Sequence, residues 1–133
     1  MLVVLDTNIL VSALISAFGP PARVLDLVLR GEIQVAYDDR LMAEYRDVLA
    51  RPKFGFSPED VETVLVYLEA DGERVIARPL PCELPDPDDL PFLEVAAEAG
   101  GLLITGNTAH FPEAARGGVQ VVAPGEFIRS WRR

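Results

Sequence analysis

The sequence predicts an α/β protein in which a parallel β-sheet is covered by helices on both faces, giving three layers. Short apolar runs, which indicate buried strands, alternate along the chain with longer stretches whose apolar residues have helical spacing. Strands that alternate with helices favour a parallel sheet. Because the crossover connections are right-handed, the carboxyl ends of the strands are expected at one edge of the sheet.

The first half of the chain is predicted to hold two strands and four helices. Asp38-Asp39 supplies a cap for the third helix, and Ser57-Pro58 supplies a cap and a first-turn proline for the fourth. The predicted elements are a strand over about 2–5, a helix over about 8–16, a helix between Gly19-Pro20-Pro21 and a C-cap at Gly31, a strand over 33–37, a helix over about 38–50, and a helix from Ser57 with the buried stripe Val61, Val64, Leu65 and Leu68.

The second half begins with a predicted short strand over 74–80, followed by a loop rich in proline and aspartate over 79–91. The remaining predicted elements are a helix over about 90–99, a strand over 102–105, a short helix, a strand over 119–122 and a last helix over about 124–131. No repeat or linker divides the chain. We therefore expect one domain spanning residues 1–133.

Length and composition limit the class of protein. The chain has 133 residues, half of them hydrophobic, which suits one globular domain with a core. No apolar run is long enough to cross a membrane, and the N-terminus lacks the basic region of a signal peptide. We therefore expect a cytoplasmic protein with no membrane partner.

The residue types that could bind a metal ion are almost entirely acidic. Cys82 and His110 are the only cysteine and the only histidine, so a zinc site built from several of these residues is excluded. Oxygen ligands favour Mg²⁺ or Mn²⁺. The net charge of −9 opposes nonspecific binding to nucleic acid, although part of this charge is expected in a metal pocket.

Three acidic segments are expected to meet at the carboxyl edge of the sheet. Asp6 ends the first strand, and Glu44 lies on the helix after the second strand. Asp86, Asp88 and Asp89 lie at or just before the start of the helix over 90–99. Ligands of open α/β sheets bind at this edge. Converging carboxylates without a basic partner are typical of a divalent-metal site that catalyses phosphoryl transfer or hydrolysis.

Four motifs in this order resemble the PIN-domain family, and in particular the toxin ribonucleases of VapC-like toxin–antitoxin pairs. They span nearly the whole chain: VLDTNIL at residues 4–10, LMAEY at 41–45, DPDDLPFLE at 86–94 and LITGNTAHFP at 103–112. The resemblance implies an α/β/α sandwich with a five-stranded parallel sheet in the order 3-2-1-4-5. It also implies a Mg²⁺- or Mn²⁺-dependent endoribonuclease that cleaves single-stranded RNA, a small antitoxin partner, and a homodimer or higher oligomer.

The resemblance also assigns residues to roles. Asp6, Glu44 and Asp89 fall on the catalytic, metal-binding acids of the family, and the supporting polar positions are Thr7, Asn8, Thr105 and Asn107. Asn107 stands where many members carry another aspartate, which leaves open whether one metal or two would bind. Asp86 or Asp88 could supply the missing charge. A metal-bound water would attack the phosphate in line, with Asn107 able to orient a group but not to act as a base.

Several of these residues also have ordinary structural interpretations. Asp6 could cap the following helix, Asp47 is an alternative to Glu44, and at least one of the three aspartates over 86–89 is expected to be a cap or turn residue. The lone His110 is expected to be a surface or capping residue. The arginines are a weak candidate RNA track: Arg40, Arg51, Arg129, Arg132 and Arg133.

Other functional classes fit less well. A haloacid-dehalogenase-like phosphatase needs a second aspartate where this chain has Asn8. Both that class and a receiver domain also need a downstream lysine, and Lys53 lies in the wrong part of the element order for this role. No glycine-rich phosphate loop is present. The main alternative to the nuclease is a catalytically weak or inactive PIN-fold protein that binds RNA or protein, which Asn107 and the acidic charge would favour.

Overall fold

The computed structural model describes residues 1–131, and its strands form one five-stranded parallel sheet. The helices and strands are β1 (Leu2–Leu5), α1 (Thr7–Ile15), α2 (Pro20–Leu29), β2 (Gln34–Tyr37), α3 (Asp39–Leu49), α4 (Pro58–Asp71), β3 (Glu73–Arg74), α5 (Leu90–Ala99), β4 (Leu102–Ile104), β5 (Val121–Val122) and α6 (Pro124–Trp131). The strand order is β3-β2-β1-β4-β5, as predicted. Arg132 and Arg133, two members of the candidate RNA track, lie outside the described residues.

The central strand β1 sits between β2 and β4 and is buried along most of its length. Val3 pairs with Val35 on one side and with Leu102 on the other. Val3, Val4 and Leu5 are fully buried, as expected for a strand that is covered on both faces. Helix α5 packs across β1, β2 and β4. Its first residue follows Asp89 directly, so the helix delivers that aspartate to the carboxyl edge.

Caps are observed at three helix ends, and those at Asp38 and Gly31 were predicted. The Asp38 carboxylate accepts a hydrogen bond of 3.0 Å from the backbone N–H of Leu41, which fixes the start of α3. Gly31 and Gly100 follow α2 and α5 with φ of +76° and +64°. Backbone in this left-handed region favours glycine, because it has no Cβ.

The prediction for α4 was partly wrong. The helix starts at Pro58 as predicted, but the Ser57 side chain makes no capping hydrogen bond. Proline lacks the N–H of the first helical residue, which reduces the number of donors that need a cap. Glu59 and Asp60 also place negative charge in the first turn, where it interacts favourably with the helix dipole.

The strand predicted over 74–80 was largely wrong, since β3 comprises Glu73 and Arg74 only. The Val75 N–H still donates to the Tyr37 carbonyl at 2.8 Å, but pairing with β2 stops there. Pro79 and Pro81 have no N–H to donate to a ladder. The intervening Leu80 N–H donates to the Glu94 carboxylate instead, at 2.8 Å.

Two further predictions along the second half need correction. The strand over 119–122 is only two residues long, Val121–Val122, and it follows Gly117 and Gly118, which both have positive φ. The short helix after β4 is a pair of 3₁₀ turns, Thr108–His110 and Glu113–Ala115, separated by Phe111 and Pro112. Within residues 1–131 no single helix is long and apolar enough to cross a membrane, whereas α1 and α2 would qualify together by length and composition but are bent by 101°.

Candidate active site

Asp6 lies immediately after β1 and is 6% exposed. It occupies the N-cap position of α1, and the backbone N–H groups of Thr7 and Asn8 lower its pKa, but its side chain forms no capping hydrogen bond. Instead, its Oδ2 accepts hydrogen bonds from Thr105 Oγ1 at 2.8 Å and from Asn8 Nδ2 at 3.3 Å. Burial raises the pKa of Asp6, and the Thr105 hydrogen bond offsets that rise only in part.

Thr105, Asn8 and the turn after β4 form a small framework around Asp6. Thr105 Oγ1 donates to Asp6 and accepts from the backbone N–H of Asn107 at 3.0 Å. Asn8 Oδ1 accepts from the Gly106 N–H at 3.1 Å. These bonds tie the ends of β1 and β4 together. Asn107 contributes its backbone to this framework, while its side chain is exposed and makes no hydrogen bond within residues 1–131.

Glu44 reaches the same edge from α3. Its Oε2 accepts a hydrogen bond from the buried hydroxyl of Thr7, the first residue of α1. The next residue of α3, Tyr45, donates its buried hydroxyl to the Leu5 carbonyl at 2.6 Å, which fixes the helix to the end of β1. Burial is the main cause that raises the pKa of Glu44. The Thr7 hydrogen bond lowers this pKa, and the negative charges of Asp6 and Asp88 raise it by smaller amounts.

Asp89 is the last residue of a 3₁₀ turn, Pro87–Asp89, that leads into α5. Its side chain is 14% exposed, and its Oδ2 lies 3.1 Å from His110 Nδ1. The pKa of Asp89 is raised from 3.8 to about 6, first by burial and then by the charges of Asp6 and Asp86, with His110 acting in the opposite direction. Asp89 is therefore the acid whose ionisation is most affected by its surroundings.

Asp86 and Asp88 are exposed, and Asp86 has the structural role expected of one aspartate in this segment. Its Oδ1 accepts a hydrogen bond of 2.9 Å from the Asp88 N–H, which closes the turn. Both residues also add negative charge to the site. The charge of Asp86 raises the pKa of Asp89, and that of Asp88 raises the pKa of Glu44.

The three predicted acids thus form one electrostatic group at the carboxyl edge of the sheet. The charge of Asp6 raises the pKa of both Glu44 and Asp89. Carboxylate and hydroxyl oxygens are the ligands preferred by Mg²⁺ and Mn²⁺, so the donor chemistry fits a divalent cation. Across residues 1–131, however, no three His, Cys, Asp or Glu side chains are already arranged to hold one. Side-chain adjustment would have to accompany metal binding.

Comparison with known proteins identifies the family. A family model described as a PIN domain matches residues 2–109, which includes all three acids. The chain belongs to the PIN-domain family. An uncharacterized protein of Methanocaldococcus jannaschii, MJ1680, is 32% identical over 110 residues, covering 79% of this chain and 70% of that protein.

A solved structure has a similar fold. It is a chain in the crystal structure of VapBC2 from Rickettsia felis bound to a DNA fragment from their promoter. The TM-score is 0.59, and the match covers 92% of this chain and 98% of that chain at 16% identity. At this identity the comparison supports the fold of the PIN domain, which agrees with the observed strand order.

Two polar residues of this PIN domain make contacts that the sequence pattern did not predict. His110 was expected at the surface or in a cap, but it contacts Asp89. Glu94 had no expected role, and it is a buried acid on α5 that pairs with Arg40 at 2.7 Å. A charged residue inside the otherwise apolar run Phe92–Ala96 was the available signal for Glu94, since a buried charge needs a partner.

Two arginines of the candidate RNA track, Arg40 on α3 and Arg51 just after its end, have acidic partners. Arg40 pairs with Asp38 and Glu94, and Arg51 pairs with Asp47, the residue weighed as an alternative to Glu44. The Asp47 side chain is 73% exposed, whereas Glu44 contacts Thr7 at the sheet edge. Geometry therefore favours Glu44 over Asp47 as the α3 member of the site.

Proposed function

We propose that this PIN domain is a divalent-metal-dependent endoribonuclease that cleaves single-stranded RNA. The observation that carries the proposal is the grouping of Asp6, Glu44 and Asp89, whose charges are coupled, at the carboxyl edge of a parallel sheet. PIN-domain proteins are generally nucleases, and by resemblance this chain carries acids at three of the family's acidic positions. Bound at this group, Mg²⁺ or Mn²⁺ would neutralise phosphate charge and lower the pKa of a water molecule.

The remaining polar residues have supporting parts in the proposed site. Asp6, Glu44 and Asp89 would hold the metal. Thr7 and Thr105 orient two of these acids by donating hydrogen bonds, and Asn8 assists Thr105 at Asp6. The exposed Asn107 amide is available to a phosphate or a water, although an amide cannot serve as a base. Asp86 and Asp88 contribute negative charge that attracts the cation.

A cleavage assay with an isosteric variant tests this proposal. Purified protein is incubated with end-labelled single-stranded RNA and Mn²⁺ or Mg²⁺, with and without EDTA. We expect metal-dependent cleavage by the wild type and none by Asp6→Asn, which removes a charge but keeps the volume. Asp26→Asn is the matched control, because Asp26 is exposed on α2, outside the segments that carry the three acids. Full activity of Asp6→Asn would overturn the assignment.

We further propose that the protein is the toxin of a toxin–antitoxin pair, acts in the cytoplasm as a single-domain homodimer or higher oligomer, and is inhibited by a small antitoxin. The fold similarity to a VapBC2 chain supports the toxin–antitoxin part of this proposal. Expression of the wild type should arrest growth, and expression of Asp6→Asn should not. Co-expression of a small neighbouring reading frame should restore growth. Light scattering of the purified protein would measure the oligomer.

A second candidate is a PIN domain that binds RNA or protein without cutting it. Two observations favour it: Asn107 replaces a family acid, and no three ligands within residues 1–131 are already arranged to hold a metal. The same assay separates the two functions. RNA binding that persists in EDTA, together with no cleavage at any Mn²⁺ concentration, would select the binding module.

A further inference from the structure

The three acids share one feature of their hydrogen bonding. Each has one oxygen atom that is engaged by a side chain from another part of the chain: Thr105 at Oδ2 of Asp6, Thr7 at Oε2 of Glu44, and His110 at Oδ2 of Asp89. Two of the three partners are the threonines assigned as supporting residues. The third partner, His110, comes from the turn after β4 and has no assigned role.

We propose that His110 is a positioning residue, which orients Asp89 for metal binding as the threonines orient the other two acids. An ionised carboxylate only accepts hydrogen bonds, so His110 Nδ1 must carry the hydrogen and donate to Oδ2. The other oxygen, Asp89 Oδ1, accepts no hydrogen bond within residues 1–131 and is left for the cation. Side chains that orient a ligand in this way tune metal affinity. This inference rests on the proposed function.

The backbone around His110 is fixed well enough for such a role. The His110 N–H donates to the Asn107 carbonyl at 3.0 Å, which closes the 3₁₀ turn. The next residue, Phe111, is fully buried, and its carbonyl accepts from Arg116 Nε at 2.7 Å. A buried aromatic side chain anchors the turn, so the partly exposed imidazole beside it is held close to Asp89.

This arrangement also gives the segment after β4 a role in a site that lacks the family's further aspartate. The resemblance implies a further carboxylate where this chain has the neutral Asn107. Three residues later the chain supplies a donor to an existing carboxylate. The segment after β4 therefore adds no carboxylate to the site, but it orients the carboxylate of Asp89. We expect its contribution to appear in the affinity for metal.

The test measures Mn²⁺ binding by isothermal titration calorimetry, which is independent of catalysis. His110→Ala removes the donor, and His110→Asn retains an N–H donor at about the position of Nδ1. We expect His110→Ala to weaken Mn²⁺ binding by about 10-fold to 100-fold, as is typical for the loss of a group that orients a ligand. His110→Asn should bind within about threefold of the wild type, and Glu113→Gln in the adjoining turn should bind like the wild type.

The outcomes separate this inference from the proposed function. Equal Mn²⁺ affinity of His110→Ala and wild type would overturn the positioning role and leave the metal site intact. Imidazole nitrogen coupling in the electron paramagnetic resonance spectrum of bound Mn²⁺, with no rescue by asparagine, would overturn it in favour of direct ligation. No Mn²⁺ binding by the wild type would refute the metal site and this inference together. The His110 side chain is 44% exposed, so the variants should fold. If His110→Ala does not fold, His110→Leu takes its place in the titration.

Discussion

Thr105 donates its hydroxyl to Asp6 across 2.8 Å, although 99 residues separate them in the chain. The parallel register explains this contact. Leu5 pairs with Ile104, so the residues that follow these two strand ends lie side by side at the edge of the sheet. The Asp6 N–H also donates to the Ile104 carbonyl at 3.0 Å, which holds the register at this point. The hydroxyl is thus delivered by the fold to a buried carboxylate that requires a donor.

Thr105→Val should destabilise the metal-free protein by about 1–3 kcal/mol at neutral pH. Valine keeps the shape of threonine but removes a donor to the buried Asp6 and an acceptor for the Asn107 N–H. Urea denaturation measures the change in the free energy of unfolding. Thr63→Val is the control, since the Thr63 hydroxyl bonds its own helix at an exposed position and should matter by less than about 0.5 kcal/mol. Equal effects of the two substitutions would contradict the importance of the Asp6 contact.

The sequence predicted the sheet and the segments that carry the acids because both depend on local patterns. Apolar runs marked β1, β2 and β4, and the aspartate after β1 stood out because it interrupts an apolar stretch. The strand order and the choice of Glu44 over Asp47 came from family resemblance, since nothing local distinguishes two acids on one amphipathic helix. The structure supplies the physical distinction, which is the contact between Glu44 and Thr7.

The remaining features depend on contacts between distant parts of the chain, which local patterns do not specify. His110 and Asp89 are 21 residues apart, and their contact requires the turns before α5 and after β4 to meet. Strand β3 ends where its partner β2 ends, at Tyr37, and the N–H of Leu80 bonds the side chain of Glu94, 14 residues later, and not a strand carbonyl. A pattern of apolar residues carries no information about such a side-chain acceptor.

Glu44→Gln should reduce metal binding and RNA cleavage, whereas Asp47→Asn should not. Both substitutions remove one negative charge from α3. Glu44 contacts Thr7, and the charge of Asp6 raises the pKa of Glu44. Asp47 pairs with Arg51 at a largely exposed position. Calorimetric titration with Mn²⁺ and the RNA cleavage assay provide the two measurements. Matching losses in the two variants would show that overall charge matters, and not the position of Glu44.

The metal-free protein should lose stability as the pH rises from about 4 through about 6. The pKa of Asp89 is raised to about 6 in the folded state, and burial also raises the pKa of Asp6 and of Glu44. The folded state therefore binds these protons more tightly than the unfolded state, and the free energy of unfolding falls as they are released. Urea denaturation in EDTA at pH 5 and pH 7.5 measures this fall.

Asp89→Asn provides the control for this pH dependence, because asparagine does not titrate. The free energy of unfolding of this variant should fall less between pH 5 and pH 7.5 than that of the wild type. An identical pH dependence in Asp89→Asn and wild type would contradict the assignment of the effect to this carboxylate.

Saturating Mn²⁺ should raise the free energy of unfolding of the wild type at pH 7.5, by about 2.7 kcal/mol at a concentration 100 times the dissociation constant.

Glu94→Ala should loosen the segment that carries the acidic turn. Glu94 is 5% exposed and accepts from Arg40 at 2.7 Å and from the Leu80 N–H at 2.8 Å, so it fixes the loop that leads to Asp89. We expect a loss of about 1–3 kcal/mol in the free energy of unfolding, since Arg40 keeps Asp38 as a partner at 2.8 Å. Amide hydrogen exchange over residues 79–89 should become faster, and Mn²⁺ affinity should fall.

Glu98→Ala is the matched control for Glu94→Ala. Glu98 lies one turn further along α5 and pairs with the exposed Arg78 at 3.3 Å, a surface pair that contributes little to stability. It should leave both the hydrogen exchange of the loop and the Mn²⁺ affinity unchanged. If Glu94→Ala weakened Mn²⁺ binding without faster exchange over 79–89, Glu94 would act through the electrostatic field of the site. That result would refute the role of Glu94 in holding the loop. If Glu94 holds the loop, its removal must make residues 79–89 more mobile and so speed their hydrogen exchange.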